Sequence, residues 1–154
     1  MFPKNHIIAG AIFSILLLIT FPEIGWINAL IVFLSSVLID IDHYLYYIYK
    51  KKDWNLKRAY WWFVNQKDIF LRLNIKQRKS FKEAIFIFHG IEFWLVLILL
   101  VFLNKIFIFI LLGISIHMIL DFIYLFSWKR PLYIKTSQIY THIKNKKKKD
   151  MIWL

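Results

Sequence analysis

The sequence predicts an all-α polytopic membrane protein, with four transmembrane helices plus a cytoplasmic amphipathic interfacial helix. Three observations predict it. Of the 154 residues, 60% are hydrophobic, whereas soluble domains run at roughly 45–50% apolar. The mean hydropathy is +0.56. The apolar residues fall in four long runs rather than short alternating ones, which favours helices over barrel strands. A soluble enzyme and a disordered chain are excluded. The absence of cysteine also excludes disulfides, thiolate metal sites, iron–sulfur clusters and cysteine nucleophiles.

The first span covers about residues 3–21 (PKNHIIAGAIFSILLLITF). Lys4 is a thin basic start and no small-x-small site follows Leu18, so this stretch reads as a true span and not a cleaved signal peptide. The sequence ITFPEIG reads as a tight turn into the second span, 24–49. The third is 84–103 and the fourth 106–128. A bilayer core needs about 20 helical residues, which the last three satisfy and the first meets marginally. Together, residues 1–128 form the membrane domain, interrupted by the cytoplasmic loop 50–83. Within that loop, DWNLKRAYWWFVNQKDIFLRLN interleaves Trp54, Tyr60, Trp61, Trp62, Phe63 and Phe70 with charges. This pattern predicts an amphipathic helix lying on the inner leaflet. Residues 129–154 are a basic cytoplasmic tail, whose THIKNKKKKD segment is expected to be a solvated arm.

The net charge of +12 is mostly a topology signal. The N-terminus, the loop 50–83 and the tail hold 20 of the 21 Lys and Arg residues, and only Lys105 falls in a turn on the other side. The positive-inside rule makes the basic side cytoplasmic, with both termini there, in a multi-pass protein of the cell membrane. The expected partners are the bilayer and its anionic head groups, which attract Lys and Arg at about 1 kcal/mol each. Nucleic acid is not expected.

Charged residues inside a span cost at least roughly 2.5–3.5 kcal/mol on insertion scales and usually mark function. Here they are His6 in the first span, Asp40, Asp42 and His43 in the second, His89 and Glu92 in the third, and His117 and Asp121 in the fourth. Asp40 and His43, and likewise His89 and Glu92, are three residues apart; His117 and Asp121 are four apart. Each pair would share a helix face. Asp42 lies on a different azimuth from Asp40 unless that helix is distorted. The spans alternate in direction, yet most of these groups fall within roughly 5–16 Å of the cytoplasmic boundary at helical rise. Singly, each has a bland explanation as an interfacial, capping or packing residue. Eight at one depth predict a shared metal site.

Imidazole and carboxylate are ligands of zinc, manganese and iron, and with more oxygen of magnesium. The expected cofactor is one or two divalent ions, zinc first. The candidate metal residues are His6, Asp40, Asp42, His43, His89, Glu92, His117 and Asp121. Some of these carboxylates can instead orient histidines. A bound metal acidifies water and polarises a phosphoryl or carbonyl oxygen. Glu92, Asp42 and Asp121 are the candidate general bases. Ser14, Ser35, Ser36, Ser115 and Ser127 lack a nucleophile context and read as helix-packing residues.

The set His6-x3-Gly10, SVLIDIDHYLYY, FHGIEFW and GISIHMILDFIY resembles the YdjM-like family of membrane-bound, predicted metal-dependent hydrolases. That family shows an early histidine followed by glycine, and a Pro-Asp-x-Asp-His segment ending a helix. A histidine-led segment opens the next helix, and a late His-x3-Asp lies on the final one. His6, Asp40, Asp42, His43, His89, His117 and Asp121 occupy matching positions, and the resemblance covers the chain apart from the middle loop and the tail. Ile39 stands where the family has proline. His89-Gly90-Ile91-Glu92 stands where it often has His-Arg-Gly-x-Thr-His-Ser, without the arginine and the second histidine, and the resemblance implies Glu92 as an acidic ligand in that histidine's place. The resemblance implies a metal-dependent hydrolase.

The leading expectation is a membrane-embedded metal-dependent hydrolase at the cytoplasmic leaflet, acting on a phosphoester or lipid-like substrate through metal-activated water. The alternative is a non-catalytic metal-binding or scaffold membrane protein. A transport path is disfavoured because the outer halves of the spans are almost purely Leu, Ile, Val and Phe. A haem carried by His89 and His117 is disfavoured because haem needs no neighbouring carboxylates.

Overall fold

The computed structural model describes residues 3–148, so the last residues of the basic tail, 149–154, lie outside the described residues. The helices are α1 (Pro3–Thr20), α2 (Gly25–Leu38), α3 (Ile41–Lys51), α4 (Leu56–Arg72), α5 (Ile75–Ser80), α6 (Ile91–Leu103), α7 (Ile106–Ser127), α8 (Tyr133–Thr136) and α9 (Gln138–Asn145). No strand occurs among the described residues. Three helical stretches are long and apolar enough to cross a membrane: Pro3–Thr20, Pro22–Lys51 and Ile106–Ser127.

The packing is inside-out relative to a soluble bundle. α1 buries His6, Gly10 and Ser14, spaced four apart, while Ile8, Ile12, Ile15 and Ile19 stay exposed. α2 buries Ala29, Val32 and Ser36. α7 buries Gly113, His117 and Asp121 on one stripe and Ile114, Met118 and Leu125 beside it. Small residues on these inner faces let the helix backbones approach, and large apolar side chains left outward are what a lipid-facing surface would require. α2 packs chiefly on α7 and α1. A Cβ added to Gly113 would lie 2.2 Å from the Val32 carbonyl oxygen and 2.0 Å from Ser35 Oγ. That contact sets how closely α7 meets α2.

Two of the expected spans are interrupted. The second bends at Ile39–Asp40 instead of running straight. Both residues keep right-handed dihedrals, but ψ at Asp40 opens to −1°, and the chain resumes as α3. The expected helix over 84–103 begins only at Ile91, leaving a short 13-residue helix. Residues 84–90 are irregular because side chains distant in sequence take their backbone groups. Phe86 N–H donates to Gln138 Oε1 (3.0 Å) and Phe88 N–H to Asp42 Oδ2 (3.0 Å). Asn145 brackets Glu83, accepting from its N–H and donating to its carbonyl, both at 2.8 Å.

The loop 50–83 does contain the amphipathic helix, α4, which buries Ala59, Gln66 and Phe70 and exposes Leu56, Tyr60 and Trp61. Asp53 anchors its start. It accepts two bonds from the Arg58 guanidinium and one from the Tyr47 hydroxyl, and the Arg58 guanidinium, foremost, holds its carboxyl well below the usual range. The tail departs from the expected solvated arm. α9 folds back with Gln138, Thr141 and Asn145 buried, so its polar stripe serves as a clamp on the 83–90 segment.

If Gly113 sets the α2–α7 distance, Gly113→Ala forces the two helices apart. A loss of about 1–3 kcal/mol is expected, read by reversible unfolding in detergent. Ile119→Ala, on the exposed face of the same helix, is expected to change stability far less.

Candidate metal centre

Four parts of the chain meet at one point. α1 supplies His6, the α2–α3 bend Asp40, the irregular segment His89, and α7 His117 with Asp121. His6, His89, His117 and Asp121 are each at most 3% exposed. Asp40 Oδ1 lies 3.4 Å from both His89 Nε2 and His117 Nε2. Asp121 Oδ2 lies 3.5 Å from His117 Nε2 and 3.7 Å from His89 Nε2. The two Nε2 atoms are 3.2 Å apart. A tetrahedral ion with bonds of roughly 2.0–2.2 Å has ligand–ligand edges of about 3.3–3.6 Å. Five of the six edges of an Asp40–His89–His117–Asp121 tetrahedron therefore sit within a few tenths of an ångström of that ideal.

The proton positions on the two rings follow from their other nitrogens. His117 Nδ1 is 2.8 Å from the Ser36 carbonyl oxygen, which can only accept. His89 Nδ1 is 2.9 Å from Asp42 Oδ2, also an acceptor when ionised. Both Nδ1 atoms donate, so in the neutral rings both Nε2 atoms present lone pairs, and these face each other. Two lone pairs and two carboxylate oxygens converging in a buried space repel strongly. A proton on one ring relieves only some of these contacts. A divalent cation at their common centre relieves all of them. Histidine ligands with Nδ1–H held by a carboxylate or backbone carbonyl are the usual supporting arrangement of a metal site. The buried His/Asp cluster can thus hold a metal ion. Three overlapping groups, His6–Asp40–His117, Asp40–His43–His89 and His89–His117–Asp121, each keep their donor atoms within 4.8 Å of one another.

The remaining predicted residues divide. His6 stacks on His117, with ring centroids 3.7 Å apart, and points Nε2 at Asp121 Oδ1 (3.5 Å). Neither of its buried ring nitrogens has a hydrogen-bond partner, so it is available as a further ligand. Asp42 is placed differently from the ligand or base the sequence suggests. Its Oδ1 takes His43 Nδ1 (2.9 Å), while its Oδ2 takes His89 Nδ1 and Phe88 N–H. The bend before α3 turns Asp42 to the same side as Asp40, and both oxygens are spent orienting histidines. His43 is partly exposed, as Asp40 is (26% and 24%), and its ring stacks on Phe86.

Glu92 is not part of the cluster. The expected three-residue pairing with His89 fails because His89 precedes the helix. Glu92 instead accepts from Ser137 Oγ and from the backbone N–H groups of Gln138 and Ile139, capping the start of α9. It is an anchor for the tail, not a candidate base.

Sequence reasoning missed three contributors. Lys135 from α8 is buried, with Nζ 3.0 Å from Asp121 Oδ2 and 4.9 Å from the Phe86 ring centre. Gln138 holds the His89 carbonyl (3.0 Å) and Phe86 N–H together. Glu83 is buried and pairs with Arg130. Each lies in or beside a segment that reads as loop or basic tail, where charge is unremarkable. The signal that could have found Lys135 is its place directly after the apolar run Pro131-Leu132-Tyr133-Ile134. Asp40, His43, Asp121 and Lys135 line one cleft of about 320 Å³.

The chain matches no protein-family model, no curated protein and no solved structure.

Asp42→Asn is expected to weaken metal binding roughly 10–100-fold, the range for loss of an orienting carboxylate, while Glu92→Gln keeps the wild-type affinity. Competition of the purified protein against a chelating dye measures both. Equal affinity in Asp42→Asn and wild type would remove Asp42 from the site.

Proposed function

We propose that the protein is a membrane-embedded, metal-dependent hydrolase whose site faces the cytoplasmic leaflet. The observation that carries the reading is the opposition of His89 Nε2 and His117 Nε2 at 3.2 Å, with both Nδ1 atoms already committed. The two-nitrogen, two-oxygen donor set suits zinc first, then manganese or iron. The resemblance of the motifs to the YdjM-like family implies the same activity. A divalent ion bound here supplies an acidified water and polarises the oxygen of the bond to be cleaved.

The chain's own residues suit the rest. Asp40, Asp121, His89 and His117 would hold a divalent ion, with His6 beside them. His43 is the general base in this scheme. Its Nδ1–H is fixed by Asp42, which leaves Nε2 as the acceptor, and it lines the cleft beside Asp40. A carboxylate that holds a histidine in one tautomer is a recurrent device for proton transfer. The water proton passes to His43, the water oxygen bonds to the phosphorus or acyl carbon as the bond to the ester oxygen breaks, and His43 returns the proton to that leaving oxygen. A phosphoester or lipid-like substrate fits a site between apolar helices and a basic surface.

The membrane arrangement in this reading has four crossings, the short α6 completing the fourth together with the irregular segment before it. Hydropathy supports a crossing, since the mean over 84–103 is high. The basic loop and tail put both termini on the cytoplasmic side, and α4 lies on the inner leaflet with its exposed aromatic residues among the head groups.

Elemental analysis of the purified protein tests the metal. The wild type is expected to retain a transition metal that His117→Ala and Asp40→Ala both lose. His43→Asn is expected to keep the metal and lose roughly 10²–10⁴ in hydrolysis of phosphoester or lipid substrates. A wild type that takes up no metal from zinc, manganese, iron or magnesium would refute the hydrolase and leave a scaffold with a buried hydrogen-bond network.

A further inference from the structure

We propose that Lys135 is the anion-binding residue of this site and that the group it receives is the phosphate of a membrane lipid, whose apolar part lies in the cleft against α4. The inference rests on the metal-centre reading and names the substrate class.

Charge balance makes the first argument. Asp40, Asp42 and Asp121 bring three negative charges to the cluster, and the neutral histidines bring none. One divalent ion leaves a residual negative charge, which would repel a phosphate in a low-dielectric setting. Lys135 cancels it. The ammonium carries three N–H donors. Its Nζ forms an ion pair with Asp121 Oδ2 at 3.0 Å, and the face of Phe86 holds the group from another side. Burying an ammonium is costly.

The cleft makes the second argument. It is lined by Lys135 together with Asp40, His43 and Asp121, and the rest of its wall is predominantly apolar, including Trp62, Phe63 and Phe70 of α4. Lys67 and Arg130 line it as well, Arg130 held by Glu83 and stacked over Phe70. Such a wall gives inorganic phosphate or a sugar phosphate little to bind, and it gives an acyl or isoprenoid chain a great deal. Glu83 lines the cleft too, but it is turned to Arg130, and Asp40 and Asp121 are turned to the metal cluster, so the basic side chains beside this apolar trough complement an amphipathic anion. A zwitterionic lipid would bring its own ammonium and gain less from Lys135.

The test uses the full chain in nanodiscs of phosphatidylcholine, with or without phosphatidic acid as the probe. Native mass spectrometry reads the lipid retained after release, and elemental analysis reads metal in the same samples. The wild type is expected to retain phosphatidic acid over phosphatidylcholine. Lys135→Gln is expected to lower that retention at least about tenfold, the scale of a charge-assisted hydrogen bond, with the metal still bound. Lys135→Arg, which keeps the charge and guards against misfolding, is expected to restore most of it. Unchanged retention in Lys135→Gln, or equal retention of the two lipids, would overturn the proposal and leave Lys135 as a structural partner of Asp121. Displacement of the lipid by equimolar inorganic phosphate would overturn the lipid as the source of the phosphate. A wild type lacking metal while still retaining phosphatidic acid through Lys135 would sink the hydrolase and spare the lipid site, so the two failures are told apart.

Discussion

Carboxylate oxygens and imidazole lone pairs are forced together where there is little water to screen them, and the rest of the structure answers that constraint. Asp40, Asp121, His89 and His117 converge within 3.7 Å contacts, a distance at which like partial charges repel unless a positive centre lies between them. Three supports hold the arrangement. The Ser36 carbonyl and the Asp42 carboxylate fix the two rings from behind. Lys135 sits against Asp121. His6 closes the side facing α1 by stacking on His117.

These supports need helices that meet closely. Gly113 and Gly10 both lie where an added Cβ would strike α2, at Ser35 and Val32 for the first and Ser36 for the second. The close approach brings the Ser36 carbonyl within reach of His117, four residues along α7 from Gly113. Packing and chemistry are therefore the same contact seen twice: the small residues on α7 are spaced so that the functional ones on its next turns can reach their partners. The large apolar side chains are left outward, as a lipid-facing surface requires.

The irregular segment 84–90 is the other consequence. A continuous helix there would carry His89 on its surface with its Nδ1 facing no fixed acceptor. Unwinding it costs helical hydrogen bonds, and side chains replace some of them: Gln138 takes Phe86 N–H and the His89 carbonyl, Asp42 takes Phe88 N–H, and Asn145 holds the adjoining Glu83. The tail is thus part of the site. Glu92 caps α9, α9 presents Gln138, and Gln138 holds the backbone of His89.

The sequence by itself determined the helical class, the three long apolar helices and the identity of most of the cluster, because hydropathy runs and ionisable residues within them are local features. Asp40, His89, His117 and Asp121 were legible for that reason. Only the tertiary structure decided the division of labour among them. Asp42 and Glu92 are both carboxylates close in sequence to a histidine, yet one orients two histidines and the other caps a helix, since a bend and an unwound turn redirect them. Lys135 and Gln138 do not stand out in the sequence because their polar character is ordinary in a basic tail, and burial arises only when α8 and α9 fold back onto residues about fifty positions earlier. Long-range hydrogen bonds to backbone groups leave no periodicity behind, and so the packed chain alone could reveal them.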